Sequence, residues 1–146
     1  MKRTIQSILI GAIAILINFA FVSKTESDII EIRYGSQFGM CEGYCYSEIV
    51  YSPKSEISIS KAWGDTTLNP TKMETKELSQ ARWNKLISSV DFNDFSSLEK
   101  TIGCPDCADG GESWVEIKTS LKSYKVNYEY GNIPEPLKKL IKEIKN

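Results

Sequence analysis

Residues 114–130 read WVEIKTSLKSYKVNYEY. Val115, Ile117 and Thr119 alternate with Trp114, Glu116 and Lys118. Tyr124, Val126, Tyr128 and Tyr130 then alternate with Lys125, Asn127 and Glu129. A period of two puts successive side chains on opposite faces, which is the pattern of two half-buried strands. Leu121-Lys122-Ser123 between them reads as a hairpin turn, although it lacks Gly or Asn-Gly. So short a connection pairs the strands antiparallel. An antiparallel sheet is therefore the frame to which the rest of the chain must be fitted.

Working upstream, Ile30, Ile32 and Tyr34 alternate with Glu31 and Arg33 and end at Gly35. Tyr46–Tyr51 reads as a second strand, closed by Ser52-Pro53. Ile57, Ile59 and Trp63 form the apolar side of a third, ending at Gly64-Asp65. Leu68–Thr75 holds a short further strand interrupted by Asn69-Pro70. The period then changes. Trp83, Leu86, Ile87 and Val90 lie at i, i+3, i+4 and i+7, the stripe of an amphipathic helix. Ser79 is its expected N-cap, and Leu78 is placed to staple onto Trp83. Phe92, Phe95 and Leu98 read as a compact hydrophobic turn. At the other end, Pro134 and Pro136 open a second helix whose apolar stripe is Leu137, Leu140, Ile141 and Ile144. Two such stripes need a common surface to bury them. The expected fold is α+β: an antiparallel sheet of about five strands with both amphipathic helices on one face.

The N-terminus follows a different pattern. Lys2 and Arg3 precede an apolar run, Ile8–Val22, broken only by Gly11 and Asn18. That is the layout of a secretory signal, and the run is short for a stable membrane span. No small-x-small cleavage site precedes Lys24 and no Cys follows the run, so a cleaved signal peptide and an uncleaved anchor both stay open. The expected organisation is a signal or anchor over 1–23, a tether over 24–28 and one α+β domain over 29–146. Either reading makes the domain extracytoplasmic, periplasmic or secreted, and lets it touch a membrane only through its N-terminal segment.

Composition excludes several classes of function. The chain of 146 residues carries 18 Lys+Arg against 19 Asp+Glu, so nothing in its charge suits a nucleic-acid backbone. It contains no histidine, which removes His acid–base catalysis, Ser-His and Cys-His nucleophiles and His-ligated metals. No nucleophile elbow or phosphate loop is present. The aromatic strand Tyr124–Tyr130 reads as core packing, with a ligand-binding surface as the alternative.

The four cysteines lie in two loops, Phe38–Cys45 and Gly103–Gly111. In an exported domain an even count points to disulfides among Cys41, Cys45, Cys104 and Cys107. A local Cys104–Cys107 ring would stabilise by roughly 2 kcal/mol on a chain-entropy estimate. A bridge between the loops, about 60 residues apart, would give roughly 4. The expectation is accordingly that the loops meet and that at least one disulfide links them. Zinc held by the same four cysteines is the alternative, since Cys-x3-Cys and Cys-x2-Cys is an acceptable all-cysteine pattern. Cys104-Pro105-Asp106-Cys107 also looks like a thioredoxin-type motif, but it precedes a strand rather than opening a helix. Asp106, Asp109 and Glu112 invite calcium, without the alternate spacing of a calcium loop. Asx-turns in a solvated loop account for them as well.

The two loops together, F-G-M-C-x-G-Y-C over Phe38–Cys45 and G-C-P-D-C-A-D-G-G-x-x-W-V-E-I over Gly103–Ile117, resemble an uncharacterised family of small exported bacterial proteins. The resemblance implies export and a shared two-loop feature. It implies no activity, substrate or cofactor. Two classes of function therefore stand. One is a non-catalytic binding or accessory module of the cell envelope, without a cofactor, whose partner is a protein or another envelope component. The other is a cysteine-based thiol-disulfide or zinc protein.

Overall fold

The computed structural model describes residues 29–146. The expected signal or anchor over 1–23 and tether over 24–28 lie outside the described residues. Among the described residues no helix is long and apolar enough to cross a membrane.

Seven strands form one sheet: β1 (Ile29–Gln37), β2 (Tyr44–Tyr51), β3 (Ser55–Ala62), β4 (Lys72–Glu77), β5 (Thr101–Ile102), β6 (Glu112–Thr119) and β7 (Ser123–Glu129). Their order across the sheet is β4-β3-β2-β1-β6-β7-β5. All neighbours are antiparallel except β5, which lies parallel to β7 at the edge. The fold is α+β as expected, but with seven strands rather than about five. The interrupting Asn69-Pro70 falls in the loop before β4, so β4 is a full edge strand. β5 is only two residues long and leaves no periodic trace in the sequence.

The helices are α1 (Gln80–Ser88), α2 (Phe92–Ser97) and α3 (Lys138–Ile144). Ser79 Oγ accepts from the Arg82 N–H at 3.2 Å, the N-cap that the sequence placed there. The compact turn expected at Phe92–Leu98 is a short helix, because the Asp91 carboxylate caps it from outside by accepting from Asp94 N–H at 3.1 Å. The hairpin between β6 and β7 manages without glycine. Thr119 Oγ1 accepts from the N–H groups of Leu121 and Lys122, at 3.3 and 3.0 Å, and so replaces the missing turn chemistry.

Leu86, Ile117, Leu137, Leu140 and Ile141 are almost completely buried in one cluster. That cluster draws on β1, β2, β6, β7 and all three helices, so both amphipathic stripes cover the same face of the sheet. Arg82 and Lys85 of α1 both meet the Glu143 carboxylate of α3, Lys85 at 3.0 Å, which ties the two helices together. These cations hold the Glu143 carboxyl below its ordinary pKa, the Lys85 hydrogen bond first. No residue of β3 or β4 belongs to the cluster.

Register sets what each face carries. Ile32 and Tyr34 oppose Tyr51 and Ile49 on the helix-covered face. Arg33, Gly35 and Gln37 face the other way, opposite Glu116, Trp114 and Glu112 of β6 and Val50, Glu48 and Tyr46 of β2. Ile57, Ile59 and Met73 belong to this second, uncovered face.

Candidate functional site: the cysteine tip and the aromatic row

β1 ends, β2 begins, β3 ends, β6 begins and β7 ends at the same margin of the sheet. Both cysteine loops therefore gather there. Ile29, where β1 begins, lies at the opposite margin beside Thr119. Nine residues of β1 separate the two margins, roughly 25–30 Å at strand rise.

Phe38 organises this tip. Its N–H donates to the Cys45 carbonyl at 3.0 Å, and its own carbonyl accepts from Trp63 Nε1 at 2.6 Å. Its ring meets Tyr130 edge-on, with centroids 4.7 Å apart. The same ring fills the space where a Cβ on Gly111 would stand. Gly111 also has φ +80°, so both its conformation and its neighbour demand glycine. The loops touch again at Asp106. Its carboxylate accepts from Gly111 N–H at 3.2 Å, and its Oδ2 would lie 3.0 Å from a Cβ on Gly39.

The expectation that the loops meet is thus realised, but the disulfide linking them is not. Cys41 pairs with Cys45 and Cys104 with Cys107, with Cα separations of 5.8 and 5.5 Å. Each loop is closed on itself, and the two are packed together by the Phe38 ring against Gly111 and by the Asp106 side chain beside Gly39. Chain entropy alone favours the long bridge, but it acts only on pairs whose Cβ atoms can approach. Local turn geometry brings the short pairs together first. In the second loop that geometry is unusual. Asp106, Ala108 and Asp109 all have positive φ, 57°, 51° and 59°, a region that costs a non-glycine residue roughly 1–2 kcal/mol.

Paired as disulfides, the four sulfurs are not thiolates, so zinc binding through them requires both bonds to be reduced first. The calcium candidates diverge. Asp106 is committed to Gly111, and Glu112 accepts from Gln37 Nε2 at 2.6 Å on the sheet face. Among the described residues no group of three or more His, Cys, Asp or Glu is arranged to hold a metal ion.

Two hollows flank the tip. One, of about 190 Å³, is lined by Cys104, Cys107, Gly110, Gly111, Glu129 and Tyr130. The other, of about 470 Å³ and wide open, is lined by Gly39, Met40, Cys41, Glu42 and Trp63. Met40 is 75% exposed and Trp63 44%.

The uncovered sheet face carries a feature the sequence reading missed. Trp114, Tyr46 and Trp63 form an aromatic row across it. Trp114 and Tyr46 have ring centroids 5.3 Å apart, and Tyr46 and Trp63 6.4 Å. Lys125 stands over Trp114 at 4.9 Å and Lys61 over Tyr46 at 4.7 Å, both cation–π contacts. Burial, then the neighbouring Glu48 carboxylate, pushes the Tyr46 phenol up to about 12. Trp114 is buried although none of the described helices covers it, because its ring lies on Gly35, where a Cβ would overlap it. The available signal was a tryptophan on the charged side of β6, in phase with Glu116 and Lys118. Of the aromatics that the sequence singled out, Tyr128 is buried in the core and Tyr124 packs on Phe92 at 5.2 Å. Tyr130 is half exposed and belongs to the tip.

The tip offers apolar and aromatic surface, Met40, Trp63 and Tyr130, with the carboxylates of Glu42 and Glu129 beside it. No protein-family model matches the chain, and no curated protein is significantly similar to it.

Proposed function

We propose that the chain is an extracytoplasmic binding or accessory module of the cell envelope, and that the cysteine tip is its contact surface. One observation carries this reading. Two disulfide-closed loops are packed side by side on Phe38, at the sheet margin opposite Ile29, where Met40 of the first loop, Trp63 after β3 and Tyr130 after β7 are open to solvent. The hydrogen bond from Trp63 Nε1 to the Phe38 carbonyl and the packing of Tyr130 on the Phe38 ring hold these two aromatic side chains before any partner arrives, which lowers the ordering cost of binding. Structural disulfides persist in oxidising compartments, which supports export, as does the resemblance carried by the two loops. A segment that joins the domain at Ile29 holds the tip away from whatever that segment engages.

The second reading, a thiol-disulfide protein, draws on the exposed Cys104–Cys107 pair. Its surroundings oppose it. The pair leads into a three-residue 3-10 turn and then β6, not into an α-helix whose dipole would favour a thiolate. Asp106 lies within the ring and Glu129 lines the same hollow, and nearby negative charge disfavours thiolate formation.

A photo-cross-linking amino acid placed at Met40 or Tyr130, with Leu121 at the opposite margin as control, tests the first reading in cells expressing the full chain. A discrete adduct from the tip and none from Leu121 is expected. Equal labelling at both ends refutes the tip as the contact surface. Catalysed reduction of insulin by the purified chain, lost in Cys104→Ser, would establish the second reading instead.

A further inference from the structure

Among the described residues β4 is the long free edge of the sheet, and all six of its residues are exposed. The edge at the other side of the sheet, β5, spans only two residues. The β3–β4 ribbon also carries an apolar stripe outside the core: Ile57, Ile59 and Met73, on the face that none of the described helices covers. Met73 is 66% exposed. An unpaired edge beside an apolar stripe is a template for another strand unless its charges forbid pairing.

The charges of β4 have a particular order. Lys72, Glu74 and Lys76 occupy one face and Met73, Thr75 and Glu77 the other. Continuing the sheet through a second copy, about a two-fold axis normal to it, pairs residues of equal face and opposite direction. Centred on Glu74, such pairing sets Glu74 against Glu74 and Lys72 against Lys76, like against like. Centred on Thr75, it sets Glu74 against Lys76 twice, Thr75 against Thr75 and Met73 against Glu77. Both registers pair five residues inside the strand, and registers centred further out pair fewer. Only the Thr75-centred register combines full overlap with opposite charges. Within one chain Glu74 and Lys76 already lie 3.5 Å apart and exposed, so each is placed to exchange its partner for the one across the axis.

We propose that β4 is a self-association edge. Two copies of the chain pair antiparallel through Met73–Glu77 with Thr75 on the two-fold axis, joining two seven-stranded sheets into one. The apolar stripes of the two copies then lie on the same face of the joined sheet, on either side of the Thr75 pair. A strand-edge contact of this length belongs to the small, transient class of interface, so the dimer dissociates on dilution.

The test uses the full chain isolated from expressing cells. A photo-cross-linking amino acid at Thr75 should yield a dimer whose adduct maps to residues 73–77 of the second copy. Sedimentation should show a concentration-dependent dimer. Glu74→Lys turns two attractive pairs repulsive and should weaken the dimer roughly tenfold. The charge swap Glu74→Lys with Lys76→Glu should restore it, which mere damage to the strand would not allow. Circular dichroism confirms that each variant is folded. The proposal is overturned by a monomer at all concentrations, by a Thr75 adduct with a different protein, or by a dimer that ignores Glu74→Lys. Failure of the double swap to restore the dimer overturns the register and the proposal with it.

Discussion

Gly35→Ala replaces one hydrogen by a methyl group on the sheet face that none of the described helices covers, at a strand position where Ala is ordinarily the better residue. Here it should destabilise. The new Cβ would overlap Trp114 Cζ2, lie 2.5 Å from Cε2 and 2.8 Å from the Ser47 carbonyl oxygen. Carbon–carbon contacts settle near about 3.5–4 Å, so the indole must move by more than about 1 Å. Trp114 is 3% exposed, held between Gly35 and the Tyr46 ring. If half of its roughly 200 Å² returns to water, about 2.5 kcal/mol is lost. Removing a strand glycine returns roughly 0.5–1 kcal/mol. The net cost is therefore about 2 kcal/mol, or roughly 1 M in the urea midpoint for a slope near 2 kcal/mol/M. Urea unfolding followed by far-ultraviolet circular dichroism measures it. In a Trp114→Ala background the same substitution should cost clearly less, because only the contact with the Ser47 carbonyl oxygen is left. A Gly35→Ala variant within about 0.5 kcal/mol of the parent, or one that costs as much without Trp114, refutes the account of this face.

Three further outcomes are expected. Tryptic peptides of the unreduced protein should separate Cys41–Cys45 from Cys104–Cys107, with no peptide joining the loops, and Cys104→Ser with Cys107→Ser should cost about 2 kcal/mol. Tyr128→Phe should be neutral or stabilise by about 1 kcal/mol in thermal unfolding, because the buried Tyr128 hydroxyl has no hydrogen-bond partner among the described residues. Glu143 has a depressed pKa when folded, so its contribution is complete above the ordinary carboxylate value of 4.5 and is lost as pH falls through the lower folded value. Glu143→Gln should accordingly be less stable than the parent at neutral pH and lose less on acidification, as acid titrations of unfolding would show.

What the sequence by itself determined was whatever depends on local periodicity and capping. The alternation in Val115–Thr119 and Tyr124–Tyr130 marked the central hairpin, and the stripes of Trp83–Val90 and Leu137–Ile144 marked the two helices that share one face. Ser79 was legible as a cap because capping is a contact between near neighbours. β5 was not legible, since two residues have no period, and its parallel place beside β7 is fixed only by pairing. The meeting of the cysteine loops could be anticipated from their shared chemistry, but their connectivity could not. Whether sulfurs 60-odd residues apart can bond depends on where two backbones point, and here the tip turns each pair inward. The aromatic row lay beyond reach for the same reason. Tyr46, Trp63 and Trp114 come from three separate strands, and Gly35 opposite Trp114 becomes meaningful only when register sets them face to face. Periodicity is a property of one segment, whereas a surface is a property of the register between segments, and only tertiary structure holds that information.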